Sequence, residues 1–265
     1  MRFKIDLSVN GQRGRRLPLS YQYELSAAIY RILASGNEAY AEWLHENGFQ
    51  LENGKTFKLF TFSRLKPENF KILHQSNQLE LLSNKVEWQI SFLPENSTQR
   101  FIEGLFQKRV FEVGNRRSVV QFQVENIEMM SPPDYSDTMT FEALSPISVS
   151  QRLEDGRDYY PQNGEEFREA DWVRDRLLQN LLDKYETIVG KPFDGNCYFD
   201  LMIPSESKIK SSLVTIKAGT PQETKVRGFM CKFALHCPTE LMRIAYESGL
   251  GEGNSQGFGC LGKIM

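Results

Sequence analysis

The 265-residue chain has no long apolar run, no paired cysteine motif and no large surplus of charge of either sign. Nothing in it approaches the roughly 18 consecutive apolar residues that a membrane span requires. The opening Met-Arg-Phe-Lys-Ile-Asp lacks the hydrophobic centre of a secretory signal. These absences predict a cytoplasmic protein with no membrane partner. Cys197, Cys231, Cys237 and Cys260 form no Cys-x-x-Cys pair, which argues against a zinc knuckle or a dithiol redox centre. Cys231 and Cys237 flank His236, but Phe229, Cys231, Phe233 and Leu235 alternate on one face of a strand, which assigns Cys231 to the core. No metal and no cofactor is expected. A net charge of −2 offers no global attraction for nucleic acid.

One segment is as rich as the rest is ordinary. Residues 249–262 hold six glycines in fourteen positions, too many for a packing element. A helix over 238–248 precedes them, with Leu241, Ile244 and Ala245 at core spacing, and a short strand over 258–264 follows. Nucleotide-binding glycine motifs run strand, loop, helix and put phosphate on the helix N-terminus. Here the order is reversed and no Gly-Lys-Ser/Thr ending occurs, so a nucleoside-triphosphate loop is excluded. Two readings remain: a flexible connection before the last strand, or the expected exposed nest of backbone N–H groups suited to a phosphodiester, built from Gly249, Gly251, Gly253, Asn254, Ser255, Gly257 and Gly259. Phe258 either anchors this loop in the core or stacks on a base.

Charge is unevenly placed even though its sum is small. Arg13, Arg15 and Arg16 cluster after the first strand, and Arg116 and Arg117 sit in a turn. Lys208, Lys210, Lys217, Lys225 and Arg227 lie on one hairpin-like segment opposed only by Glu223. Acidic residues gather at 154–158 and 165–175. Basic loops beside strand edges and a glycine loop point to nucleic-acid phosphates as the partner.

Hydrophobic periodicity predicts strands at 2–9, 57–63, 70–74, 85–92, 110–113 and 118–124, and helices at 19–34, 38–46 and 94–108, the last capped by Asn96 or Ser97. The second half predicts strands at 138–148, 197–203, 208–217, 226–236 and 258–264, with helices at 164–189 and 238–248. The fold class is α+β: two tandem ferredoxin-like β-α-β-β-α-β domains, 1–128 and 138–265, joined by a Pro-containing linker at 129–137.

Two such units ending in Gly249-x-Gly251 and Gly257-x-Gly259 resemble the repeat-associated RNA-binding proteins of CRISPR systems. Within that group, Ala28-Ile29-Tyr30, Trp43-Leu44-His45-Glu46 and Phe57-Lys58-Leu59-Phe60-Thr61-Phe62-Ser63 resemble the repeat-cleaving CRISPR endoribonucleases, the sixth Cas family. Leu144-Ser145-Pro146-Ile147 is similar to the segment that opens the family's second half. The resemblance implies binding of CRISPR repeat RNA and one metal-independent cut per repeat in the precursor RNA. It implies His45, Tyr30 and Lys58 as catalytic residues. Other Cas proteins of an effector complex and a second copy of the chain are further partners it allows. The stretch between His45 and Lys58 is longer than in some relatives and contains a rival, Lys55; Lys58 is preferred because it directly precedes Leu-Phe-Thr-Phe-Ser.

The residue types suit the chemistry. Metal-free RNA cleavage uses the substrate's 2′-hydroxyl as nucleophile, leaving a 2′,3′-cyclic phosphate and a 5′-hydroxyl. Something must take the 2′ proton, stabilise charge at phosphorus and protonate the leaving oxygen. A free imidazole, with a reference pKa near 6.5, is largely neutral at neutral pH, whereas a free phenol is roughly one part in a thousand phenolate. Which of His45 and Tyr30 is base and which acid stays open. Along their helices Tyr30 lies about 8 Å before the turn at Ser35 and His45 about 12 Å beyond Asn37, so antiparallel helices leave an offset of about 4 Å. His45 alternatively just complements a helix C-terminus, Tyr30 packs, and Lys58 snorkels. A non-catalytic RNA-binding subunit of an effector complex would share the fold and need no His45.

Overall fold

Phe3, Ile5, Leu7 and Val9 alternate along β1 (Arg2–Asn10) and are all buried, which places this strand in the middle of a sheet. The computed structural model describes residues 1–264. They form two units, Met1–Asn47 with Arg64–Ser131, and Gly48–Ser63 with Pro132 onward. The main elements of the first unit are β1, α1 (Gln22–Gly36), α2 (Glu38–Glu46), β2 (Lys66–Pro67), β3 (Lys85–Phe92), α3 (Glu95–Gln107), β4 (Val110–Gly114) and β5 (Val119–Met130), and the short strands Arg16–Pro18, Phe70–Leu73 and Gln78–Leu81 form a small separate sheet. Its strand order is β4–β5–β1–β3–β2, with every pairing antiparallel. The long β1–β5 ladder runs from Arg2↔Met130 to Asn10↔Gln121 and shifts register between Asp6 and Leu7.

Glycine brings the helices of this unit together. A Cβ on Gly104 of α3 would lie 1.9 Å from the Ile32 carbonyl oxygen of α1, and one on Gly36 would lie 2.5 Å from that of Arg100. Neither position has room for a side chain. Beneath the helices Trp88, Phe92 and Phe101 pack edge-on or tilted, with Phe101 centred 6.3 Å from Trp88 and 5.0 Å from Phe92.

The second unit contains β6 (Thr138–Ala143), α4 (Gly164–Glu169), α5 (Asp171–Val189), β7 (Asp200–Met202), β8 (Lys210–Ile216), β9 (Thr224–Met230), β10 (Lys232–His236), α6 (Thr239–Ser248) and β11 (Leu261–Lys263). Its main sheet has the order β7–β10–β6–β11, again antiparallel, and β8 with β9 forms a separate hairpin. Cys231 is buried as expected, and burial pushes its thiol up to about 12.

Several elements differ from the periodicity reading. α1 begins at Gln22 rather than Leu19, because the Leu19 amide donates to the Asn77 carbonyl and the Tyr21 hydroxyl accepts from the Leu65 amide. Neither Asn96 nor Ser97 caps α3. Pro94 occupies the cap position without a side-chain bond, and the Ser97 hydroxyl is paired with that of Tyr40. The strand expected at 57–63 is broken into Thr56–Phe57 and Phe60–Phe62 by Leu59, whose φ of 54° is left-handed. The long helix at 164–189 is interrupted by Ala170, which is extended with ψ 122°. The strand at 226–236 splits at Cys231, one half serving the hairpin and the other the sheet.

The glycine segment carries the largest correction. The expected open nest is mostly closed. The amides of Leu250, Glu252, Gln256, Gly257 and Gly259 donate to the carbonyls of Gly259, Ser148, Gly253, Asn254 and Pro146 at 2.8–3.1 Å. Gly249, Gly251, Gly257 and Gly259 are buried, and Phe258 is wholly buried as the loop's anchor. The Thr61 hydroxyl donates to its carbonyl at 3.0 Å. A Cβ on Gly251 would meet the Ser148 oxygen at 2.3 Å, and one on Gly259 the Leu250 oxygen at 2.1 Å, so glycine here serves close backbone approach.

At the centre of the loop sits a lysine that no motif announced. Lys184 of α5 is 1% exposed, and its ammonium donates to Gly249 O at 2.7 Å, Asn254 Oδ1 at 2.7 Å and Gly251 O at 3.3 Å. Burial pulls its pKa down to about 7, while three acceptor oxygens match the three N–H bonds of the protonated form. Lys184→Met leaves these oxygens without a donor, so urea unfolding should show a loss of about 1–3 kcal/mol. Unchanged stability would mean that the ammonium does not hold the loop.

Candidate active site

α1 and α2 are joined by a single residue with two roles. The Asn37 amide donates to Leu33 O at 2.8 Å, closing α1, and its side-chain oxygen accepts from the Tyr40 amide at 2.8 Å, opening α2. α1 is anchored by Leu25, Ala28, Ile29, Ile32 and Leu33, and α2 by Ala41 and Leu44, all buried. With both apolar faces fixed, Tyr30 on one helix meets His45 on the other. Their ring centroids lie 5.0 Å apart with planes at 86°, an edge-to-face contact. His45 is exposed in the last turn of α2, and Tyr30 is partly buried. The structure therefore brings together two of the three residues implied by resemblance and leaves the imidazole open to solvent.

Lys58 belongs to the second unit. It stands immediately before the left-handed Leu59, and its side chain folds back over Gly48, where an added Cβ would lie 2.8 Å from its Cδ and 3.0 Å from its Nζ. Gly48 itself has φ +63° and comes three residues after His45 in the chain. Partial burial lowers the Lys58 ammonium from the ordinary lysine range. Lys55 has a different engagement: its ammonium bonds the Asp183 carboxylate at 2.6 Å. That carboxylate also accepts from Gln179 at 2.9 Å.

The residues named from composition separate by role. In the glycine segment, Gly253 is exposed and Ser255 partly so, whereas Asn254 is buried and bonded to Lys184. Arg15 is a structural brace, with its guanidinium donating to Leu81 O and Ser83 O at 3.2 Å and to the Asn84 side chain. Arg16 pairs with Glu80 at 2.9 Å, and Arg13 approaches Glu112 at 3.7 Å. On the β8–β9 hairpin, Lys225 pairs with Thr215 and Arg227 with Leu213, on the face opposite the buried Val214 and Ile216. Leu213 on that face is 53% exposed. Lys208 and Lys210 are exposed at the hairpin's entry, and Lys217 at its turn bonds Gln222 at 2.6 Å. Of the residues the sequence reading missed, Lys184 had one signal: it extends the buried Leu177 and Leu181 stripe of α5 at helical spacing.

The family model "CRISPR associated protein Cas6, C-terminal" matches residues 129–262, and "CRISPR-associated protein Cas6, N-terminal" matches 16–128. The chain is 28% identical to "CRISPR-associated endoribonuclease Cas6 1" of Methanocaldococcus jannaschii, over 97% of this chain and 91% of the relative. It is 27% identical to "CRISPR-associated endoribonuclease Cas6" of Pyrococcus furiosus, over 98% and 89%. A solved structure titled "An RAMP protein binding different RNA substrates" superposes with a TM-score of 0.77 at 25% identity, covering all of both chains. Two family models that together span residues 16–262 establish that this chain belongs to the Cas6 family of CRISPR-associated proteins.

Proposed function

We propose that this chain is the endoribonuclease that cuts precursor CRISPR RNA within its repeats, by attack of the substrate's own 2′-hydroxyl. Family membership and two relatives named as endoribonucleases support the activity. The observation that carries the site is the edge-to-face contact of Tyr30 with a solvent-accessible His45. His45 takes the 2′ proton as the 2′ oxygen bonds to phosphorus, and the P–O5′ bond breaks. Tyr30 orients the reacting groups and gives a proton to the departing 5′ oxygen; exchange with water then restores both side chains. Lys58 places its positive charge at the non-bridging oxygens, where negative charge grows. Lys55, held by Asp183, is the weaker claimant to that role.

The first strand lies between the third and fifth in the first unit's sheet and between the third and fourth of the second unit's main sheet, and these orders support a reading as tandem ferredoxin-like domains. Family models that meet at residues 128 and 129 support a boundary there, and we propose 1–128 and 138–265 as the domains with 129–137 as the linker. RNA contacts fall to the exposed turn at Gly253 and Ser255, to Lys208, Lys210, Lys225 and Arg227 of the hairpin, and to Arg13 and Arg16. Gly249, Gly251, Asn254, Gly257 and Gly259 shape the loop, and Lys217 and Arg15 hold their own segments. A cytoplasmic location completes the reading; among the described residues no helix is long and apolar enough to cross a membrane.

Single-turnover cleavage of repeat RNA in EDTA tests the central residue. His45→Ala should slow the cut by about 10²–10⁴-fold with RNA affinity unchanged. An equal loss of affinity would make His45 a structural residue. Lys58 predicts the alkaline side of the pH profile. Because burial lowers its pKa, the cation and the rate are lost as pH rises through a value below the ordinary lysine range. A guanidinium stays charged there, so Lys58→Arg should move that limb to higher pH. A limb that does not move would assign it to another group.

A further inference from the structure

The last turn of α3 and the start of β4 form one wall of a cavity of about 750 Å³ in the first unit, and α1 forms another. Ile32 and Phe111 supply apolar surface inside it, and Arg31, Lys108 and Arg109 supply three cations. One carboxylate, Glu112, also lines it, but that group approaches Arg13 at 3.7 Å and accepts from Gln121 at 3.4 Å. Arg31 donates to the Glu112 backbone oxygen at 2.8 Å, which fixes its guanidinium at the rim. Lys108 and Arg109 are exposed and take part in no ion pair among the described residues. Phe106, two residues before Lys108, is 63% exposed on α3. Phe106 is not among the cavity's lining residues and lies on the same last turn of α3; clustered cations and an exposed aromatic ring on one short segment are what a single-stranded nucleic acid uses, phosphates on the charges and a base on the ring.

The position of the cavity relative to the reacting pair gives it a purpose. Tyr30 and Arg31 are consecutive on α1, so their side chains leave the helix about 100° apart on a cylinder about 10–12 Å across. A strand whose scissile phosphate sits at Tyr30 and His45 reaches Arg31 by crossing one helix.

We propose that this cavity is a phosphate-binding subsite for nucleotides of the repeat RNA that flank the cut, with Arg31, Lys108 and Arg109 as its cations and Phe106 as its stacking surface. The inference rests on the RNA-cleaving reading above. The subsite contributes affinity and register, and the chemistry stays with His45 and Tyr30.

The test compares wild type with Lys108→Ala/Arg109→Ala, and separately with the milder Lys108→Gln/Arg109→Gln, on two RNAs. One ends at the nucleotides bordering the cut; the other carries six further repeat nucleotides on each side. For the long RNA the double variants should bind about tenfold more weakly. Their plot of log affinity against log salt should be shallower by about 1.4, as two single-strand phosphate contacts require. Affinity for the short RNA and the single-turnover rate at saturation should be unchanged. Equal affinity and salt slope for the long RNA in all three proteins would overturn the proposal, as would an equal loss on both RNAs. Wild type that fails to cut either RNA would instead overturn the cleavage reading itself, so the two failures are separable. Circular dichroism of both variants verifies that they are folded.

Discussion

Asn37 is the constraint from which the site follows. One residue ends α1 through its amide and begins α2 through its side chain, so the two helices reverse direction without a flexible loop. Their buried faces then fix the rotation of each helix about its axis. Position along the axis comes from the turn, and rotation comes from Leu33 and Ile29 on one side and Leu44 on the other. Together these set the imidazole of His45 against the phenol of Tyr30. A pair of side chains on rigid helices holds its geometry more tightly than one on loops. Gly36 and Gly104 serve the same end, because they let α3 seat directly against the α1 backbone.

In the second unit the organising charge is internal. Six glycines close together have little side-chain packing to define their path, and backbone carbonyls turned inward need donors. Lys184 supplies three N–H bonds at one point, and Asn254 relays the contact to Phe258 O at 3.2 Å. The loop is therefore shaped from the inside, with Gly253 and Gln256 exposed and Glu252 and Ser255 partly so. Its amides largely serve the protein itself, which leaves few of them for an outside anion.

Much of this was legible in the sequence, for definable reasons. β1 and β3 were found at nearly their full length because one face of each is apolar and buried while most of the other is polar and partly exposed. The α1–α2 reversal was legible from Ser35-Gly36-Asn37, and the antiparallel estimate put Tyr30 within reach of His45. What escaped was decided by tertiary partners. Leu59 takes a left-handed conformation and Ala170 an extended one, neither signalled by a glycine or proline at those positions. Ser97 is a good capping residue whose hydroxyl instead meets Tyr40. Arg15 looked like its neighbours Arg13 and Arg16, but only its guanidinium finds backbone carbonyls. Lys184 was hidden by the ordinary assumption that lysine faces water.

If Tyr30 and His45 form one proton-transfer unit, their effects on the chemical step must not multiply. The most direct measurement is a double-mutant cycle of Tyr30→Phe and His45→Ala in single-turnover RNA cleavage. Groups that act as a unit are strongly non-additive, so the double variant should cut at the rate of His45→Ala alone. A double variant slowed by the product of the two single effects would show that the phenol and the imidazole work independently, and would contradict the account.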